Sequence, residues 1–127
     1  QRAGLLVHTF WILGFPGETY EEMQQTVKFA LNSGSDSFSF AILQPLAGTP
    51  LYRKVWKEKL WWEGREKYNN FRNSLIKVDG FDGPEKFEQW VHELNISSNL
   101  ILKKNDPEKF KWKYGENATD FDLMRQT

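Results

Sequence analysis

The sequence contains no cysteine, which excludes disulfides and any cysteine-ligated metal or cluster within its 127 residues. Net charge is absent too: 17 Lys and Arg balance 17 Asp and Glu, so no long-range field draws the chain to nucleic acid or an anionic membrane. No apolar run approaches the roughly 20 residues of a membrane span, and no signal peptide is visible. A soluble, cytoplasmic chain is therefore the expectation. Histidine is scarce, and the two present are far apart: His8 lies in an apolar run, and His92 lies beside Glu88 and Glu93 in a helical pattern. Neither has a second histidine at ligand spacing, so packing or solvation accounts for both better than a metal does. The GxxxxGK[ST] loop and the Gly-x-Ser-x-Gly elbow are also missing, which removes those two nucleotide and hydrolase readings.

Aromatic residues are abundant: ten Phe, six Trp and four Tyr spread along the whole chain. A chain this short has little interior to hold so many rings. Part of that surface is expected to meet a missing portion of the same protein. The chain also begins with Gln1 rather than Met and enters an apolar run within a few residues. We therefore read it as a piece of a longer protein, marginally stable by itself. A complete eight-fold α/β barrel needs roughly 250 residues, more than this chain has.

Leu5 to Leu13 is almost continuously apolar and predicts a parallel strand covered on both faces. Gly14 to Thr19 supplies a turn and a capping box, Thr19 with Glu22, that opens a helix over about Tyr20 to Asn32. Met23, Val27, Ala30 and Leu31 form its apolar stripe. Asp36 to Gln44 alternates as a second strand, parallel to the first by the crossover rule. Pro45 to Pro50 is a second turn, and Thr49-Pro50 opens a helix expected to reach about Glu63. Beyond Gly64 the pattern predicts a short helix over Arg65 to Asn73, a short strand over Ser74 to Val78, a long helix from Pro84 and a short one from Pro107. The polar middle of the long helix, Asn95 to Asn99, is the weakest part of its pattern for an unbroken run. The fold class is α/β: a βαβ unit over 1–63, followed by a mainly helical carboxyl-terminal extension over 64–127.

Two Gly/Pro turns at the carboxyl ends of adjacent parallel strands are where α/β proteins place ligand sites. Glycine at 14, 17 and 48 lets a ligand approach the backbone, and the N–H groups at each helix start are candidates to meet a carboxylate or phosphate. Ordinary turn chemistry explains the same residues. Helix capping likewise accounts for Glu18, Glu21 and Glu22 better than acid/base catalysis does.

GFPGET after an apolar strand, with PLAGTPLY after the next one, resembles the last two βα units of a radical S-adenosylmethionine (SAM) enzyme barrel, where GxPGET and PxPGTxLY recur at this separation. The resemblance covers about Arg2 to Leu60 and is closest to the branch with an upstream cobalamin-binding domain. It implies a partial TIM-type (β/α)6 barrel. It further implies that Ile12 and Gly14 approach the SAM nucleoside and that Pro16, Gly17 and Glu18 shape the loop over it. Leu43, Gln44 and Pro45 would lie at the adenine, and Gly48 and Thr49 would close the pocket. Ala47 stands where the family usually has proline. The CxxxCxxC loop that holds the 4Fe-4S cluster in this family would lie outside the chain. The implied cofactors are SAM, a 4Fe-4S cluster ligated elsewhere and, in that branch, cobalamin. The implied activity is reductive SAM cleavage followed by hydrogen abstraction or methyl transfer, in which an isolated fragment would have no turnover. The same resemblance implies an extension that helps close the pocket or contacts the substrate; a plain helical cap is the alternative. A stand-alone α/β ligand- or protein-binding module is the alternative from a different functional class.

Overall fold

The computed structural model describes residues 4–66 and 73–115. Two strands, β1 (His8–Leu13) and β2 (Ser37–Ile42), pair in parallel with His8 opposite Ser37 and Leu13 opposite Ile42. Between them runs α1 (Tyr20–Leu31), one residue shorter than the pattern predicts because Asn32 is its C-cap. The capping box is formed in full: the Thr19 side chain accepts from the Glu22 N–H, and the Glu22 carboxylate accepts from the Thr19 N–H.

The short helix α2 (Pro50–Lys57) stops six residues before the expected Glu63. The chain turns through Lys59, whose φ is +55°, so that the Leu60 carbonyl can accept from the Lys77 N–H and the Trp62 N–H can donate to Leu75. Those long-range bonds outweigh one more helical turn. They are also what remains of the expected strand over Ser74 to Val78, which is a single antiparallel bridge between Trp61 and Ile76. Most of the predicted Arg65 to Asn73 helix falls at 67–72, outside the described residues.

The long helix α3 (Pro84–Asn105) begins at Pro84 as expected and runs without a break through the polar middle that weakens its pattern. The reason lies across the core. Ser37 and Leu43 donate to Val7 and Leu13 of the neighbouring chain segment, so the alternate residues Phe38, Phe40 and Ile42 turn their backbone groups to the outer edge of β2. Asn95 meets that edge with both ends of its amide: Phe40 N–H donates to Asn95 Oδ1 at 2.8 Å, and Asn95 Nδ2 donates to Phe40 O at 3.0 Å. A polar residue on the inner face of α3 thus takes the place of a neighbouring strand. After α3, Asp106 caps α4 (Pro107–Tyr114) by accepting from the Lys109 N–H.

One face of the two-stranded sheet carries the main core. Leu13 from β1 and Phe40 and Ile42 from β2 pack against Met23 and Ala30 of α1 and Phe87 and Val91 of α3. The opposite face is open. Phe10 and Ile12 are 73% and 46% exposed, and β2 adds only Ser37, Ser39 and Ala41 beside them. The expectation that β1 is covered on both faces therefore holds for one face among the described residues. A second, smaller core of Leu43, Val55 and Ile76 sits beneath α2.

Candidate functional site

Both candidate loops lie at the carboxyl end of the sheet. In the first, Gly14 has φ +98°, a conformation that favours glycine. A Cβ on Gly14 would stand 3.2 Å from the Phe87 ring and 3.3 Å from Val78, so this position is packed against the extension and is not open to a ligand on that side. Glu18 folds back over the turn: its Oε1 accepts from the Gly14 and Phe15 N–H groups at 3.0 and 3.2 Å, while its own N–H donates to the Phe15 carbonyl. This charge-assisted clasp holds the loop without a ligand. Pro16 is half-buried at the bend, and Gly17 (φ +83°) is exposed, with nothing within 4 Å of a built Cβ. Ile12 points to the open face of the sheet.

The second loop is tied down at its start and open at its tip. Leu43 extends the ladder by donating to Leu13 O at 2.9 Å, and its side chain is buried against Val55 and Ile76. Gln44 Nε2 donates to the Asn73 carbonyl at 2.8 Å, and Pro45 is buried. Gly48 (φ +88°) is exposed with open space around it. Thr49 caps α2: its Oγ1 donates to Leu46 O and accepts from the Tyr52 N–H.

The sequence expectation of free N–H groups at each helix start needs correction at α1. There the Tyr20 N–H donates to Asp79 Oδ2 at 3.0 Å and the Glu22 N–H to Thr19, with Glu21 and Glu22 in the first turn. Four protein carboxylates, counting Glu18, already surround this helix end, so it repels an incoming anion. The first turn of α2 carries no acidic residue.

Electrostatically distinctive groups lie toward the other end of the sheet. His8 spans the open face, with Nδ1 against Ser37 Oγ and Nε2 at 2.9 Å from Ser39 Oγ. Burial, and secondarily the positive charge of Lys113, hold its pKa below 6.5. Burial also lowers Lys113 to about 8, while its Nζ donates to Asn99 Oδ1 at 2.8 Å and reaches Phe38 O. A cavity of about 230 Å³ lies at this amino-terminal end of β2, lined in part by Asp36, Phe38, Asn99 and Lys109. It is separated from both loops by the length of the strand. Among the described residues no cluster of His, Asp and Glu is placed to hold a metal, and no helix is long and apolar enough to cross a membrane.

The structure thus places the tips of both loops, with Gly17 and Gly48, and the start of the second loop at one end of the sheet. Ile12 faces the open side, whereas Gly14 and Leu43 pack inward. Asp79, Val78 and Phe87, which hold the first loop from behind, escaped sequence reasoning because no local pattern announces a contact 59 residues away. Asn95 did leave a signal, a polar residue in line with Phe87, Val91 and Ser98 on the buried helix face.

No protein-family model matches this chain, and no solved structure matches it. The chain is 32% identical over 103 residues to the cytidylyl-2-hydroxyethylphosphonate methyltransferase of Streptomyces wedmorensis. It is similar to a methyltransferase. The match takes in 76% of this chain but only 19% of that enzyme, so the chain spans about a fifth of the relative's length. A span of 76% is about 97 residues, too long to fit within 1–63. The likeness to the methyltransferase therefore extends beyond the two βα units into the carboxyl-terminal extension.

Proposed function

We propose that this chain forms the closing βα units and carboxyl-terminal extension of a radical SAM methyltransferase. The observation that carries the reading is the likeness to a methyltransferase over most of the chain, joined to two βα loops whose GFPGET and PLAGTPLY sequences resemble that family. The open geometry adds support. Phe10 and Ile12 turn their backbone groups to the outer edge of β1, where no described strand adjoins, and their side chains lie on the uncovered face. Beside that edge, a cleft of about 350 Å³ lies between Trp11 and the Glu22–Phe29 stretch of α1. A two-stranded sheet with one bare edge and one uncovered face that exposes Phe10 and Ile12 is marginal in water. Further strands and helices of the same polypeptide, arranged as a partial barrel, would cover both.

The residues fit the nucleoside half of SAM in part. Ile12 offers an apolar side chain on the open face, and Gly17 and Gly48 expose backbone that a ligand can approach without meeting a side chain. Gly14 contributes through its backbone only, since its Cβ direction is occupied. When bound, SAM supplies the transferable methyl group. The residues of this chain orient the nucleoside and exclude water from it. With no cysteine, the chain has no ligands for a 4Fe-4S cluster, which would be held by other residues of the same protein. Cobalamin belongs to the resemblance, and none of the described residues is assigned to it.

The test is SAM binding by the full-length protein after cluster reconstitution, compared with its Gly48→Val variant. We expect the variant to keep its circular dichroism spectrum and lose SAM affinity by more than about tenfold, because a side chain would fill the open approach at that backbone. Equal affinity in a folded variant removes Gly48 from the pocket, and absence of SAM binding by the parent protein refutes the reading.

A further inference from the structure

The segment from Asn73 to Trp90 touches the carboxyl ends of both strands. At β2, the Asn73 carbonyl accepts from Gln44 Nε2. At β1, Val78 and Phe87 stand 3.2–3.3 Å from where a Gly14 Cβ would be. At α1, Asp79 Oδ2 takes the Tyr20 N–H, and Gly80 lies so close that a Cβ there would be 2.9 Å from Tyr20 Cβ. Phe81 and Trp90 then close around the Tyr20 ring, with centroids at 5.6 and 5.5 Å. The segment is itself anchored away from the loops. Glu88 receives Arg65 Nη1, Asn73 Nδ2 and the Ser74 N–H at 3.1, 2.7 and 2.9 Å, and Leu75 and Lys77 bond to Trp62 and Leu60.

From these contacts we infer that the extension is a strap that sets the first loop, and that Asp79 is its positioning residue. The inference rests on the reading of Gly14–Glu18 as a cofactor loop. The physical argument is one of dependence. The Glu18 clasp joins the two ends of the loop, and Met23 and Ala30 hold the body of α1 on the sheet. Asp79 adds a tie at the first residue of α1, joining the helix amino terminus to a segment that also packs on Gly14. A carboxylate at that position interacts with the helix dipole as well as the N–H. Asp79 touches neither loop tip, so it acts on a ligand only through the loop's position.

The experiment uses the full-length protein and two separate readouts. Hydrogen exchange reports the Gly14, Phe15 and Tyr20 amides without ligand, and equilibrium binding reports SAM affinity. In Asp79→Ala we expect those amides to exchange about tenfold faster, as for loss of one charge-assisted bond, with Leu13 and Phe40 unchanged, and SAM affinity to fall by a similar factor. Asp79→Asn, which keeps an acceptor, restores most of both. Asp82→Asn is the control, because Asp82 is exposed and pairs with Lys86 of α3 rather than with the start of α1; it should change neither. Unchanged exchange of the loop amides in Asp79→Ala overturns the proposal, as does faster exchange with unaltered SAM affinity. Faster exchange in a protein whose parent form binds no SAM supports the strap and refutes the SAM reading instead.

Discussion

Replacing Asn95 tests the claim that a side-chain amide stands in for a strand. Phe40 N–H and Phe40 O both lie in the core, and both are satisfied by Asn95, which is 8% exposed. Asn95→Ala strands one buried donor and one buried acceptor, at about 1–3 kcal/mol each, so the expected loss is about 2–6 kcal/mol. That is a large share of the ~5–15 kcal/mol that stabilises an ordinary domain. Asn95→Asp sharpens the test. At neutral pH a carboxylate would face Phe40 O with no proton to donate, so this variant should be as unstable as Asn95→Ala or more so. Burial and the facing carbonyl raise the folded pKa of the introduced carboxyl above its unfolded value near 3.9. Its recovery is therefore complete below that unfolded value and is lost as pH rises through the folded one. Urea unfolding of parent and both variants at pH 7.5 and 4.5 measures this, taking each variant against the parent at the same pH. A loss below about 0.5 kcal/mol for Asn95→Ala, or a deficit for Asn95→Asp that ignores pH, refutes the argument.

Three further outcomes are expected. Gly14→Ala should be more destabilising than Gly17→Ala by thermal unfolding: both residues have positive φ, costing about 1–2 kcal/mol, but only at Gly14 does the Cβ also press on Phe87 and Val78. Because the folded pKa of Lys113 is lowered from 10.5 to about 8, the unfolded chain binds the extra proton between those values, so stability should rise with pH across that window and Lys113→Met should flatten the rise. Because the folded pKa of His8 is lowered from 6.5, the same reasoning gives a loss of stability as pH falls below 6.5, which His8→Gln should reduce. Both slopes are read from denaturation midpoints against pH.

Local order was legible in the sequence because local chemistry decides it. Thr19, Glu22 and the run of apolar residues at helical spacing specify α1 wherever it lies, and the Thr49-Pro50 pair does the same for the start of α2. The parallel pairing followed from the length of the crossover. The two turns were recognisable as candidate ligand loops from their glycines and prolines. What these residues face was not. The carboxyl end of α2 depended on a bridge between Trp61 and Ile76, and the continuity of α3 depended on a strand edge 55 residues away. Gly14 reads as an opening for a ligand, yet in the fold its open side is filled by Phe87.

Sequence alone therefore determined β1, α1, β2, the start of α2 and the two later helices, their order, the position of both loops at strand ends and the lack of any cysteine to ligate a cluster. Tertiary structure decided which loop residues are open and which are packed, that the α1 amino terminus is already occupied by carboxylates, and that the extension passes behind the first loop. The division has one physical cause. Propensity, capping and periodicity act over a few residues and are written in the local sequence, whereas burial and hydrogen-bond partners are set by groups that only the folded chain brings together.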